Sequence, residues 1–273
     1  MLAFTLRRLI GLAATLAATA LIVFVVLEIL PGDPAAVMMG INATPETIAA
    51  VRAEYGLDQP AALRFVQWIG GLLRGELGNS YTYKVPIAGL IAERAQVTLP
   101  LALMAVVLAS GFGIPVGIIA AARANTRWDA AVMALSQIGL AVPNFWFGIL
   151  LVLTFAVTLG WFPSGGFPGW SAGVWPAFQA LILPALALAL PQGAIIARLT
   201  RSAVLEALQE DFVRTARAKG LTWRQTLTGH VLRNAMPPVV TILGLQFSIL
   251  VAGAIVIENV FSLPGLGRLM FQS

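Results

Sequence analysis

Long apolar runs separated by short polar breaks set the pattern of this chain, and the runs are too long and too poor in charge for the core of a soluble domain. Leu9 to Leu30 is the first. As a helix it measures about 33 Å at ~1.5 Å rise per residue, enough to cross a hydrocarbon core of about 30 Å. Val97 to Ala122, Ala130 to Leu159, Phe178 to Ala197 and Val239 to Ile257 repeat the pattern. The expected fold class is all-α: a polytopic transmembrane helical bundle with five spans, residues 1–273 forming one domain. The first run exceeds the apolar core of a secretory signal peptide, about 7 to 15 residues, and reads as an uncleaved span. Glu28 near its end reads as an interfacial residue. Pro100, Pro115, Pro143, Pro184 and Pro191 fall inside later runs, where each frees a backbone carbonyl and kinks the axis.

Between the first two runs, residues 31–96 form an outer segment with helices of its own. Thr44-Pro45-Glu46 supplies an N-cap, a proline at the first helical position and an acid in the first turn, with Ile48, Val51 and Tyr55 following on one face. Pro60 opens a second helix with Leu63, Val66, Ile69 and Leu73 on one face and Trp68 beside it; such helices are expected along the membrane surface or capping the bundle. Gly75 to Ser80 reads as a turn. Trp161 to Pro176, rich in Gly, Pro and Trp and free of charge, suits an interfacial loop.

Composition agrees with this picture: 59% of residues are apolar, 11% are charged, and mean hydropathy is +0.87. The net charge of +5 lies in breaks between spans rather than in one aromatic-laced patch, so nucleic acid is not an expected partner and the lipid bilayer is. With the N-terminus inside, Arg7, Arg8, Arg123, Arg127 and seven basic residues from Arg198 to Arg233 are cytoplasmic, as the positive-inside rule favours. Five spans then leave the C-terminus outside, and a sixth span is expected in the native protein. No cysteine is present, which excludes disulfides and thiolate metal sites.

Several chemistries are missing. No GxxxxGK[ST] loop occurs, so the chain is not expected to hydrolyse ATP or to bind a cofactor. A serine protease would need Ser164 and His230, the only histidine, on one face, and the topology separates them. Metal ligands do not cluster. No carboxylate sits mid-span for a proton relay, since Glu28 and Glu258 are at helix ends.

The segment 198–236 is the strongly charged island of the second half. Val204, Leu208, Phe212 and Ala216 recur at helical spacing, which predicts one helix continuing from the fourth span. Gly220 is a natural C-terminal stop, and Thr222 with Gln225 fits a capping box that starts a second helix. The island reads either as a solvated positive loop or as a docking element. In the second case Thr215, Ala216, Ala218 and Gly220 form a narrow ridge flanked by Arg214, Arg217 and Lys219.

Arg214-Thr215-Ala216-Arg217-Ala218-Lys219-Gly220, with His230-Val231-Leu232-Arg233 following nine residues later, resembles the EAA loop of permease subunits of binding-protein-dependent ABC importers. It keeps the glycine, one alanine and the spacing of the general pattern, and has Arg214 where that pattern has Glu. The variant is similar to that of the dipeptide/oligopeptide/nickel permeases. Further pieces are Leu30-Pro31-Gly32-Asp33-Pro34, Tyr55 to Pro60, Gly75 to Ser80, Val142 to Trp146, Ala197 to Ser202, and Phe261 with Pro264-Gly265-Leu266-Gly267.

The resemblance implies a permease subunit of a bacterial inner membrane importer for peptides or a similar small solute. It implies a homologous second permease, a periplasmic substrate-binding protein, and two cytoplasmic ATPase subunits that carry ATP and Mg. Asp211, Arg214, Thr215, Ala216, Arg217, Ala218, Lys219, Gly220 and Leu221 are then the candidate coupling residues. Ser136, Gln137, Asn144 and Gln246 are candidates for the translocation path, because polar groups avoid lipid. The competing reading is a self-contained channel or secondary transporter.

Overall fold

The computed structural model describes residues 2–29, 33–40, 44–80 and 82–272; Leu30, Pro31 and Gly32 of the first motif lie outside them. Among the described residues the regular structure is helical, apart from one isolated antiparallel bridge between Asn79 and Pro86. The chain divides into two compact units, one ending at Leu90 and one beginning at Ile91.

The first unit holds α1 (Leu2–Ile29), α2 (Pro34–Met39), α3 (Pro45–Glu54) and α4 (Ala61–Arg74). From Leu9 to Leu27 α1 carries no charge and, among its described side chains, α1 is exposed except at Ala20 and Phe24, as a span facing lipid would be. The cap expected at Thr44 forms as a reciprocal box with Thr47. α4 stops at Gly75, whose φ of +81° is the left-handed value that glycine adopts without a Cβ clash.

Asp33 caps α2, accepting from the Ala35 amide at 3.1 Å, and pairs with Arg52 of α3 at 2.8 Å. The Arg52 guanidinium holds the Asp33 carboxyl below the usual aspartate range. A depressed folded pKa makes the contribution complete above the unfolded value and lost as pH falls through the folded one. Amide exchange at Ala35 and Ala36, corrected for intrinsic rate, should therefore rise in acid, and Asp33→Asn should show that lower protection already at neutral pH.

The second unit is built on α5 (Ile87–Ala122), α6 (Arg127–Ala141), α7 (Asn144–Leu151) with its π-helical continuation Val152–Thr158, α8 (Val174–Leu208), α9 (Asp211–Ala218), α10 (Trp223–Thr226), a π-helical turn Leu227–Val231, α11 (Leu232–Val260) and α12 (Leu266–Gln272). α8 is the central helix; two thirds of its most apolar window is buried, against none of α1's. It packs through alanines such as Ala185, Ala187, Ala189 and Ala197. Lipid tails are as apolar as leucine, so helices in a bilayer associate by close packing rather than by escape from water, and small residues permit it.

Among the described residues four helices are long and apolar enough to span a membrane, and there is a fifth such span if the bent pair α6–α7 is counted as one. There the expectation of one kinked helix over 130–159 is corrected: the two pieces meet at 94°. Val142 is forced into an extended conformation by the proline after it, which breaks the helix instead of bending it. The helix expected to run on from the fourth span through Ala216 is corrected too. It ends at Leu208, and α9 starts afresh after an extended Glu210. In contrast, α10, the π turn and α11 are continuous, so the fifth span begins well before Pro237 and Pro238.

Candidate functional site

The coupling candidates gather on α9 and the turn that follows it. α9 places Val213 and Ala216 inward, against a small core of Ala121, Val204, Ala207, Val231 and Ala235. Asp211, Arg214, Thr215, Arg217, Ala218, Lys219 and Gly220 are exposed, with Leu221 half-buried. Ala216 thus belongs to the supporting face and not to the exposed ridge. Arg214 and Asp211 approach to 3.5 Å with side chains 81% and 95% exposed, an ion pair of the kind that contributes little. Arg214 and Arg217 therefore remain available to a partner.

The turn after α9 is fixed by its hydrogen bonds. The Gly220 amide donates to Arg217 O at 3.0 Å and the Leu221 amide to Ala216 O at 3.3 Å, the pairing of a Schellman cap, with Gly220 at φ +85°. Thr222 and Gln225 then close the capping box that starts α10. Two helices are held at a rigid, glycine-centred elbow, supported by the π turn, a feature found often at functional sites. An open groove of about 370 Å³ is lined by Ala203, Glu206, Glu210, Phe212, Asn234 and Pro238 among others, so it carries two acids and none of the ridge residues.

The translocation candidates are not gathered in this way. Ser136 and Gln137 are on α6, Asn144 opens α7 and Gln246 is on α11. Ser136 and Gln246 are buried, Asn144 is half-buried and Gln137 is exposed. Among the described residues no group of three or more His, Cys, Asp or Glu could hold a metal ion. Ser164 precedes Gly165, which packs on the Phe261 carbonyl at one end of α11, while His230 precedes the other end.

Two buried polar clusters carry structure that sequence reasoning missed. Asp129, at the start of α6, receives Arg201 of α8 through both oxygens at 2.5 and 2.7 Å, and also the Asn125 amide at 3.0 Å. This bidentate pair ties α6 to α8 and is nearly enclosed on the Asp side. The local signal was Thr126 followed three residues later by Asp129, an N-terminal pattern that forms in the structure with Thr126 as cap.

At the far end of α11, Glu258 is fully buried. Thr98 Oγ1 donates to its Oε1 at 2.6 Å and accepts from the Leu266 amide at 2.9 Å, while the Arg268 amide donates to Oε2 at 3.1 Å. The segment after Phe261 folds back onto the bundle. Phe261 and Leu263 enter the core, and Glu258 and Thr98 satisfy two of the free amides at the start of α12.

A bundle of long apolar helices tied by buried polar pairs defines a multi-pass membrane protein. Residues 113–273 match the family described as "Binding-protein-dependent transport system inner membrane component", and residues 1–102 match its N-terminal counterpart. The chain belongs to that family and is a permease component of such a transport system, working with other subunits in the inner membrane.

It is 42% identical over 273 residues to a putative peptide transport system permease protein of Brucella abortus, covering 100% of this chain and 87% of that protein. It is 43% identical over 274 residues to the glutathione transport system permease protein GsiC of Salmonella choleraesuis, with the same coverage. A probable peptide ABC transporter permease of Sinorhizobium fredii is 39% identical over 270 residues, covering 99% and 86%. Among solved structures, an amino acid ABC transporter with histidines shares the fold at a TM-score of 0.51 and 17% identity, over 67% of this chain and 77% of that one.

Proposed function

We propose that this chain is the permease subunit of an ATP-driven importer for di- or oligopeptides or a similar small solute, and that α9 with its glycine cap is where force arrives from separate ATPase subunits. The observation that carries the reading is the exposed ridge of Arg214, Arg217, Ala218 and Lys219, braced from behind by Val213 and Ala216. A ridge held by a small core and a rigid cap transmits a push to α8 and α11; a solvated loop would absorb it. The substrate class is supported by the relatives named for peptide and glutathione transport.

In this reading the chain pairs with a homologous second permease and takes substrate from a periplasmic binding protein. Its N-terminus and α9 are cytoplasmic, and ATP and Mg stay on the two ATPase subunits, so this chain binds no cofactor. ATP-driven closure of the ATPases draws the docked elbows together and rocks the permease pair between inward and outward openings.

Ala218→Glu tests it. Ala218 is exposed at the end of α9 and in helical conformation, so the substitution adds a negative charge to the ridge without straining the backbone. Recovery of ATPase subunits with the purified permease should fall about tenfold or more, equivalent to ~1.4 kcal/mol or more of binding. ATP-driven uptake into vesicles should fall with it, at unchanged permease content. Wild-type recovery together with wild-type uptake would show that the ridge is not the contact.

A further inference from the structure

α4 has two apolar faces, and among the described residues of the first unit only one of them is covered. On the covered face Phe65 and Trp68 pack on Phe24 of α1, ring centroids 5.1 and 6.2 Å away, and Arg64 pairs with Glu28 one turn along α1. On the adjoining flank Ala62, Val66, Ile69 and Leu73 follow one another at spacings that keep them on one side of a helix. Val66 is 64% exposed and Leu73 85%. Leu63, Gln67 and Arg74 are exposed on the remaining side, so Leu63 falls off the face that Val66, Ile69 and Leu73 share.

The depth at which α4 is held says what meets this flank. The apolar helix of α1 runs from Ala3 to Ile29, about 40 Å at ~1.5 Å per residue, longer than a hydrocarbon core of about 30 Å. Glu28 near its end therefore lies at headgroup level, and Phe24 about 6 Å deeper at that same rise. The clamp on Phe24 and Glu28 sets α4 at the boundary between acyl chains and water. An unpartnered apolar ridge at that level continues the lipid-facing surface of α1, while Gln67 and Arg74 give the helix a polar side.

We infer that α4 is an interfacial helix lying beside the end of α1, with the Ala62, Val66, Ile69 and Leu73 flank in contact with the acyl chains of that leaflet and Gln67 turned to the headgroups and water. The inference rests on α1 spanning the membrane and not on which face its N-terminus occupies.

Because the chain has no cysteine, single spin labels can be placed cleanly in the assembled transporter, reconstituted in bilayers with cysteine-free partner subunits. Labels go at Val66→Cys, Leu73→Cys, Gln67→Cys and, on exposed α1, Ile22→Cys. Collision with oxygen, which concentrates in lipid, should exceed collision with a water-soluble nickel chelate severalfold at 66 and 73, and the order should reverse at 67.

Nickel access at 66 and 73 equal to that at 67 would place the flank in water and overturn the inference. Shielding of 66 and 73 from both quenchers would place it against a protein partner and overturn it as well. The label at 22 separates the two levels. Oxygen-dominated collisions there, with nickel-dominated ones at 66 and 73, sink the α4 assignment alone; nickel-dominated collisions at 22 sink the span reading of α1 too.

Discussion

Replacing Glu258 with alanine is expected to destabilise the second unit by about 2–4 kcal/mol, because a buried hydroxyl and a half-buried amide both lose their acceptor. Thr98 donates to Glu258 at 2.6 Å and the Arg268 amide at 3.1 Å, and no water-exposed path offers a substitute around a side chain with no exposure. Removing a buried acid returns some desolvation energy, which is why the estimate stays below a plain sum of two charge-assisted bonds.

The loss should appear as a drop of roughly 5–15 °C in the temperature at which the purified complex stops eluting as a single species. Glu258→Gln should fall between wild type and alanine, since its oxygen can still accept from Thr98 while its NH2 cannot accept from Arg268. Gly265→Ala approaches the same junction from the other side: a Cβ there overlaps the Glu258 carboxyl group. If alanine at 258 and wild type melt together, the tie between α5, α11 and α12 carries no weight.

Gly117→Leu should have the second large effect. A Cβ at Gly117 would lie 2.8 Å from Thr200 Cβ and closer still to the Ala197 carbonyl, and one at Gly113 would lie 2.7 Å from the Gly193 carbonyl. Gly113 and Gly117 are one turn apart, so α5 and α8 touch backbone to backbone along a glycine seam of the small-xxx-small kind. A leucine must push the helices apart, at a cost of about 1–3 kcal/mol from overpacking alone.

The displacement would also reach Arg201, next in sequence to Thr200, and loosen its bidentate hold on Asp129. Reduced amounts of folded permease in membranes, read by fluorescence-detected size exclusion, are the expected result. Gly111→Leu is the control on the same helix: nothing lies within 4 Å of a Cβ there, and yield should be unchanged. Equal yields for the two variants would remove the seam from the account.

Much of this was legible in the chain because the signals are local. Thr44 before Pro45, Thr222 before Gln225 and Gly220 after Ala218 form the caps that their residue types demand, since a cap is decided by atoms within four residues of itself. The same locality misled where two local rules compete. The apolar stripe from Val204 to Ala216 has helical spacing, yet the helix breaks at Gln209 and Glu210; two shorter helices still bury Val204, Val213 and Ala216 in one small core. Periodicity records which residues are buried together, not whether the backbone between them is unbroken. At Pro143 the sequence marked the place but not the size of the bend, which depends on what α7 packs against afterwards.

The sequence by itself determined the class of the protein, its long apolar helices, and the caps that bound the turn at Gly220. Hydropathy, charge placement and turn chemistry act over a few residues and need no knowledge of the fold. Only the tertiary structure decided that Glu258, placed at a helix end like Glu28, is sealed in the core while Glu28 stays partly exposed in an ion pair with Arg64. The two acids differ in nothing local. What separates them is the partner each meets: Thr98, 160 residues away from Glu258, and Arg64, 36 residues from Glu28. Burying a polar group is tolerable only where distant donors converge on it, and that convergence exists only once the helices have packed.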